Sequence, residues 1–284
     1  MRPPNSSRRR SGVPGGPTGP GRGKPGGPGD GGREVGTFKK PALTVFSTTL
    51  WEYPSQHYNA AGGAMQGDSR YVGATPSWVI WQLLSRYTRP GDVVVDPMCG
   101  SGTTIDVCVD MGRQARGLDL VPSRGDIRQG DARRLARGDG TCDFAFIDPP
   151  YSTHVHYSDD PRCIGKLSTG GEDGGKRYYE SMTMVIRELH RVLRAGKYIG
   201  LYVSDSYKKK PSGVNEFMPI GFELFSIMRR WFMPVDIIAV VRQNQKLHKG
   251  NWHKAAVEEN FFLRGFNYLF IMKKDGKGGL DRER

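Results

Sequence analysis

Between Ser77 and Tyr87 the apolar residues Val79, Ile80, Leu83 and Leu84 recur at helical spacing, which predicts a helix with one face turned inward. Arg89-Pro90-Gly91-Asp92 punctuates it. Val93-Val94-Val95 then forms a continuous β-branched run, the pattern of a parallel strand buried on both faces, and it ends at Asp96 in a glycine-rich loop. A helix is expected over Thr104 to Gly112, and a second strand over Ala115 to Asp119, again ending in an acid. Phe144 to Ile147 reads as a further buried strand running into Asp148-Pro149-Pro150-Tyr151. Met182, Val185, Ile186, Leu189 and Val192 predict a helix over Tyr178 to Leu193, followed by a strand over Tyr198 to Val203. Later strands are expected at Asp236 to Val241 and Tyr268 to Met272. Such alternation predicts an α/β fold with a doubly wound, mostly parallel sheet, whose ligands bind at the carboxyl ends of its strands.

Composition divides the chain. Residues 1–36 hold 12 Gly and 7 Pro with almost nothing apolar to offset the entropy of ordering, so a disordered basic tail is expected there. The fold is expected over 37–275, as a single domain, with a flexible tail over 276–284. The net charge is +13, of which residues 1–40 carry +7. The body keeps +6, and both parts favour a polyanionic partner such as nucleic acid. Cys99, Cys108, Cys142 and Cys163 lack paired metal-ligand spacing, and a reducing cytoplasm fits them. No apolar run approaches a membrane span, and Arg8-Arg9-Arg10 is followed by Gly and Pro rather than an apolar signal core. A soluble, cytoplasmic protein without a membrane partner is therefore expected.

Two motifs carry chemistry. In Asp96-Pro97-Met98-Cys99-Gly100-Ser101-Gly102-Thr103-Thr104, small residues between strand and helix let backbone amides approach a ligand at a helix N-terminus. Thr103 stands where a phosphate-binding loop needs lysine, and the three-glycine dinucleotide spacing is absent. In the second motif, Pro149 and Pro150 forbid both helix continuation and sheet pairing. Alone it is a rigid turn. Downstream of the glycine loop it becomes a candidate site, with Asp148 as an acceptor and Tyr151 as a stacking ring.

Together these motifs resemble the amino-methyltransferases that modify adenine N6 or cytosine N4 of DNA, whose cofactor motif is usually written DPFxGSGTT. Only its Phe is replaced, by Met98. Thr75 and Pro76, before Pro90-Gly91-Asp92, match the helix that packs beside the methionine end of the cofactor in that family, although its Gln-Lys-Pro reads Ala74-Thr75-Pro76 here. The resemblance spans residues 65–272 in the motif order called gamma, with a cofactor motif worded like the beta group. It implies the Rossmann-like class I methyltransferase fold and S-adenosylmethionine as cofactor. Cofactor contacts would come from Thr75, Pro76, the loop from Asp96 to Thr104, Asp119 for the ribose hydroxyls, and Asp131 with Ala132 for the adenine. Asp148, Pro149, Pro150 and Tyr151 would be catalytic. A DNA substrate is expected before an RNA one, with adenine slightly ahead of cytosine. An RNA base methyltransferase stays open, as does an inactive nucleic-acid adaptor, although the latter would show a damaged acceptor motif and Asp148 to Tyr151 are intact.

Several other residues keep two readings. His154 and His156 could touch substrate, but no Cys or acid pair at matching spacing supports a metal. The glycine-rich loop Ser158 to Lys176 fits a lid over the base or a plain surface loop. Lys208-Lys209-Lys210, with Arg242, Lys246, His248, Lys249 and His253 around Trp252, suits a backbone-tracking surface or a merely solvated face. Trp51 and Tyr53 read as core.

Overall fold

The structure, a computed structural model, describes residues 40–68, 70–71, 73–151, 155–209, 215–243 and 249–276. The expected tails at 1–36 and from 277 onward lie outside the described residues, as do Ser152, His154, Lys210, Lys246 and His248.

Among the described residues, eight strands form one sheet. In chain order they are β1 (Leu50–Trp51), β2 (Val93–Asp96), β3 (Gln114–Asp119), β4 (Arg128–Gln129), β5 (Cys142–Ile147), β6 (Leu193–Val203), β9 (Met233–Val241) and β10 (Phe266–Lys273). Their spatial order is β1-β9-β10-β6-β5-β2-β3-β4, with only β10 antiparallel to its neighbours. A separate antiparallel hairpin joins β7 (Ser206–Lys209) to β8 (Asn215–Met218). Among the described residues five α-helices accompany the sheet: α1 (Ser77–Tyr87), α2 (Thr103–Asp110), α3 (Lys176–Val192), α4 (Ile220–Met228) and α5 (Gly250–Glu258).

The continuous apolar runs have the expected cause. Along β5, Phe144 and Phe146 join a core with α1 and α2, while Ala145 and Ile147 join the opposite core with α3 and α4. Val94 and Val95 divide the same way on β2. A strand covered on both faces has no polar side, so its sequence cannot alternate. The doubly wound, mostly parallel sheet is thus the architecture found. From β2 the chain winds outward to β3 and β4, then returns to β5 on the other side of β2. That reversal is the switch point where ligands bind in such sheets.

The differences from expectation concern edges. β6 begins at Leu193 rather than Tyr198, because Leu193 already pairs with Cys142 across an irregularity in the register. β9 begins at Met233 and contains Pro234, which a central strand could not accommodate. Beyond β10 it meets only the two residues of β1, at Ala239 and Val240, so Pro234 lies on an open edge. Trp51 and Tyr53 are core residues, as expected, and Trp78 packs with Phe46 and Tyr53 at centroid distances of 6.0 and 5.9 Å.

Tyr178 on α3 is fully buried, and its hydroxyl has no hydrogen-bond partner among the described residues. An unpaired buried hydroxyl costs stability that a phenyl ring of the same shape does not. Tyr178→Phe should therefore stabilise the fold by about 1 kcal/mol, or roughly 2–4 °C in Tm, measured by thermal melting. A drop in Tm would mean that the hydroxyl is satisfied.

Candidate functional site

β2 and β5 lie side by side in parallel, with Val94 opposite Phe144 and Val95 opposite Ala145. Their carboxyl ends therefore bring Asp96 and Asp148 to one edge of the sheet. Both line a single cleft of about 710 Å³, which also takes in Asp119, Asp131, Arg242 and the loop after β2.

The loop is held by its own acids. Asp96 accepts the Met98 amide at 3.1 Å and the Thr104 hydroxyl at 2.5 Å. Burial pushes the Asp96 carboxyl up to about 7, against the opposing effect of these hydrogen bonds. Asp119 accepts the Gly100 amide at 3.0 Å and the Val121 amide at 3.1 Å, and each carboxylate oxygen retains acceptor capacity for a ligand hydroxyl. Gly100 and Gly102 adopt φ of +49° and +81°. A Cβ on Gly100 would come within 2.9 Å of the Tyr71 ring, and one on Gly102 within 2.8 Å of the Arg124 guanidinium. Glycine is thus required twice over, by backbone conformation and by close approach. Arg124 closes the back of the loop through a bidentate pair with Asp106 at 2.7 and 2.8 Å.

The second motif follows directly from the buried end of β5. Pro149 is buried, while Asp148, Pro150 and Tyr151 are half-buried at the cleft. Asp148 Oδ2 accepts the Thr75 hydroxyl at 2.5 Å, a charge-assisted length. Burial pushes the Asp148 carboxyl up to about 7; Thr75 and the Arg242 charge oppose that rise, and Asp96 reinforces it. Arg242, just beyond β9, donates to Ser204 Oγ at 3.3 Å and lowers the phenol pKa of Tyr151 by its charge, although burial dominates and lifts that phenol to about 12.

Nearly all the residues singled out from the sequence meet in this cleft. Thr75, Asp96, Pro97, Met98, Cys99, Gly100, Ser101, Thr103, Thr104, Asp119, Asp131 and Ala132 line it together with Asp148 to Tyr151. Pro76 and Gly102 do not. Pro76 caps α1, and Gly102 caps α2 with its Cα turned towards Arg124. Asp131 reaches the cleft with its carboxylate already engaged by Arg133, through Nε at 3.0 Å and Nη2 at 2.7 Å. Of the loop 158–176, Ser158, Arg162, Cys163 and Ile164 line the cleft, and Cys163 and Ile164 are buried. His156 pairs with Asp159 at 3.2 Å.

Tyr71 and Tyr157 also line the cleft without any sequence signal, since neither belongs to a periodic segment. Tyr71 packs on Gly100, and burial together with the charges of Asp119 and Asp148 lifts its phenol to about 12. Arg242 carries a usable signal, a cation at the carboxyl end of a strand of this sheet, where ligands gather.

Among known proteins, the family described as DNA methylase matches residues 32–127, which include the glycine loop and stop short of Asp148. The Type II methyltransferase M.MjaII from Methanocaldococcus jannaschii is 34% identical over 58 residues, a match covering 20% of this chain and 11% of that protein. TrmN from Thermus thermophilus shares 16% identity at a TM-score of 0.46, over 72% of this chain and 50% of its own. A SAM-dependent methyltransferase from Methanosarcina mazei shares 16% at a TM-score of 0.42, over 68% and 97%. Both structural likenesses stay below a TM-score of 0.5 and assign no substrate to this chain.

Proposed function

We propose that this chain, whose residues 32–127 match the DNA methylase family, transfers a methyl group from S-adenosylmethionine to an exocyclic amino nitrogen of a DNA base, adenine N6 or cytosine N4. The observation that carries this reading is the meeting of the glycine loop and the Asp148 turn in one cleft, on paired strands at the switch point. S-Adenosylmethionine fits the donor set. Asp119 offers acceptors for ribose hydroxyls at the end of β3, the small residues 99–103 leave room for close approach, and a sulfonium beside Asp96 and Asp148 would offset the cost of their buried charge.

When bound, that cofactor supplies an electrophilic methyl group. The protein's part is to make a poor nucleophile competent. An aromatic amine has its lone pair delocalised into the ring, so it must become tetrahedral as it attacks. Asp148 and the Pro149 carbonyl supply acceptors for its two hydrogens, and the prolines hold both in place before reaction. Tyr151 fixes the plane of the base by stacking. Asp148 is the stronger acceptor when ionised, and the Thr75 hydroxyl favours that form. The C–N bond would form as the S–CH3 bond breaks to leave a neutral thioether, and the amine's surplus proton would pass to solvent, with no covalent enzyme intermediate. A base within a duplex would have to be flipped from its stack to reach this cleft.

The test is to incubate the protein with methyl-labelled cofactor and DNA, digest, and identify the labelled nucleoside. N6-methyladenine or N4-methylcytosine is expected; label on a ring carbon, or on no nucleoside, would refute the reading.

A further inference from the structure

The mouth of the cleft carries an aromatic rim that methyl transfer alone does not require. Two segments build it, the β7–β8 hairpin and residues 261–264. Tyr207 and Phe217 are partners in the hairpin register, with ring centroids 5.2 Å apart, and Phe261 stands 6.0 Å from Tyr207. Arg264 ties the segments together. Its guanidinium lies 5.0 Å from the Tyr207 centroid and 5.4 Å from that of Phe217, while its Nη2 donates to the Phe262 carbonyl at 2.8 Å. Arg264 and Tyr207 line the same cleft as Asp148, and so does Phe262, which is 81% exposed. Phe217 is 45% exposed.

The charge around the rim suits a polyanion. The two segments carry Lys208, Lys209 and Arg264 in sequence against Glu216, and Arg242 lines the same cleft. Exposed rings beside a fixed guanidinium are the elements with which proteins stack unpaired bases while basic groups follow the backbone. Duplex bases are already stacked on one another and present only their edges, which are read by hydrogen-bonding side chains rather than by ring faces.

We propose that the rim formed by Tyr207, Phe217, Phe262 and Arg264 is a stacking platform for nucleotides beside the target, so that the protein takes its target base from an unpaired strand. The proposal rests on the reading of the cleft as a base-methylating site and adds the form of the polymer it acts on. An unpaired strand also spares the cost of flipping the base from a helix.

The full chain would be titrated by fluorescence anisotropy, at fixed salt, against a labelled single-stranded DNA of about 12 nucleotides, a length within the usual single-strand site sizes. The same sequence as duplex DNA and as single-stranded RNA would be run beside it. The single strand should bind at least about 10-fold more tightly than the duplex, and Phe262→Ala should weaken single-strand binding by roughly 10-fold while leaving duplex binding unchanged. Because Phe262 is exposed, the variant keeps its fold. Duplex binding as tight as the single strand, or an unchanged Phe262→Ala variant, would overturn the platform. Tighter binding of RNA than of DNA would support the platform and move the proposed substrate to RNA. A Phe262→Ala effect in a protein that methylates no base would leave the platform standing and sink the methylation reading instead.

Discussion

Asp148→Ala abolishes methyl transfer, by at least about 1000-fold, while S-adenosylmethionine binding in calorimetry changes little; this is the expected result of removing an acceptor that acts only on the amine. Asp148→Asn keeps one carbonyl acceptor and should lose less. Both variants should be more stable than the parent at neutral and higher pH, because a buried carboxylate raised to about 7 binds its proton more tightly when folded than when unfolded. The sign follows from that difference. Stability associated with the protonated Asp148 is fully present below the unfolded value, about 4, and is lost as pH rises to about 7. The variants should thus match the parent near pH 4 and gain over it as pH rises to 7, with a flat difference beyond. A loss of cofactor affinity in Asp148→Ala, or a stability gain confined to acid, would show that Asp148 has another role.

Thr75→Val shifts the acid limb of the kcat/KM profile upward by about 1 pH unit, the expected result of deleting a charge-assisted hydrogen bond to the ionised acceptor. The sign is set by the form stabilised. A donor to the carboxylate holds its pKa down, so losing it leaves more Asp148 protonated at neutral pH and lowers kcat/KM by roughly 5-fold at pH 7 and by up to about 10-fold in acid, with recovery in alkali. Thr75→Ser should restore the parent profile. The resemblance assigns Thr75 to the cofactor instead, and calorimetry separates the two roles: weaker S-adenosylmethionine binding with an unmoved pH profile would support the cofactor contact. As a check that does not depend on turnover, the carbon resonance of the Asp148 carboxyl should titrate at higher pH in Thr75→Val.

Much of this arrangement is legible in the sequence because its physical requirements are local. A strand covered on both faces must be apolar throughout, as Val93 to Val95 and Phe144 to Ile147 are. A turn that brings backbone to a ligand must be small, as Gly100 to Gly102 are, and a turn that fixes acceptors must be stiff, as Pro149 and Pro150 are. What escapes is set by distant partners. The hydroxyl of Thr75 finds Asp148 across 73 residues of chain, and no pattern around Ala74-Thr75-Pro76 encodes that contact. Tyr71 lies in a segment without periodicity, and its ring meets Gly100 across 29 residues of chain, a contact that no local pattern encodes. The β7–β8 hairpin and α5 are equally silent, since α5 buries none of its residues and so carries no apolar stripe to read. Met98, which stands where the resembling motif has Phe, packs against the core beneath the loop with a flexible thioether.

The most direct measurement is a crystal structure with S-adenosylhomocysteine and an oligonucleotide containing adenine and cytosine. The cofactor ribose should lie on Asp119, and an exocyclic amino nitrogen should lie about 3 Å from both Asp148 and the Pro149 carbonyl, pointing at the sulfur. A cofactor bound away from residues 96–104, or a base whose amino group turns away from Asp148, would contradict the assignment of this cleft.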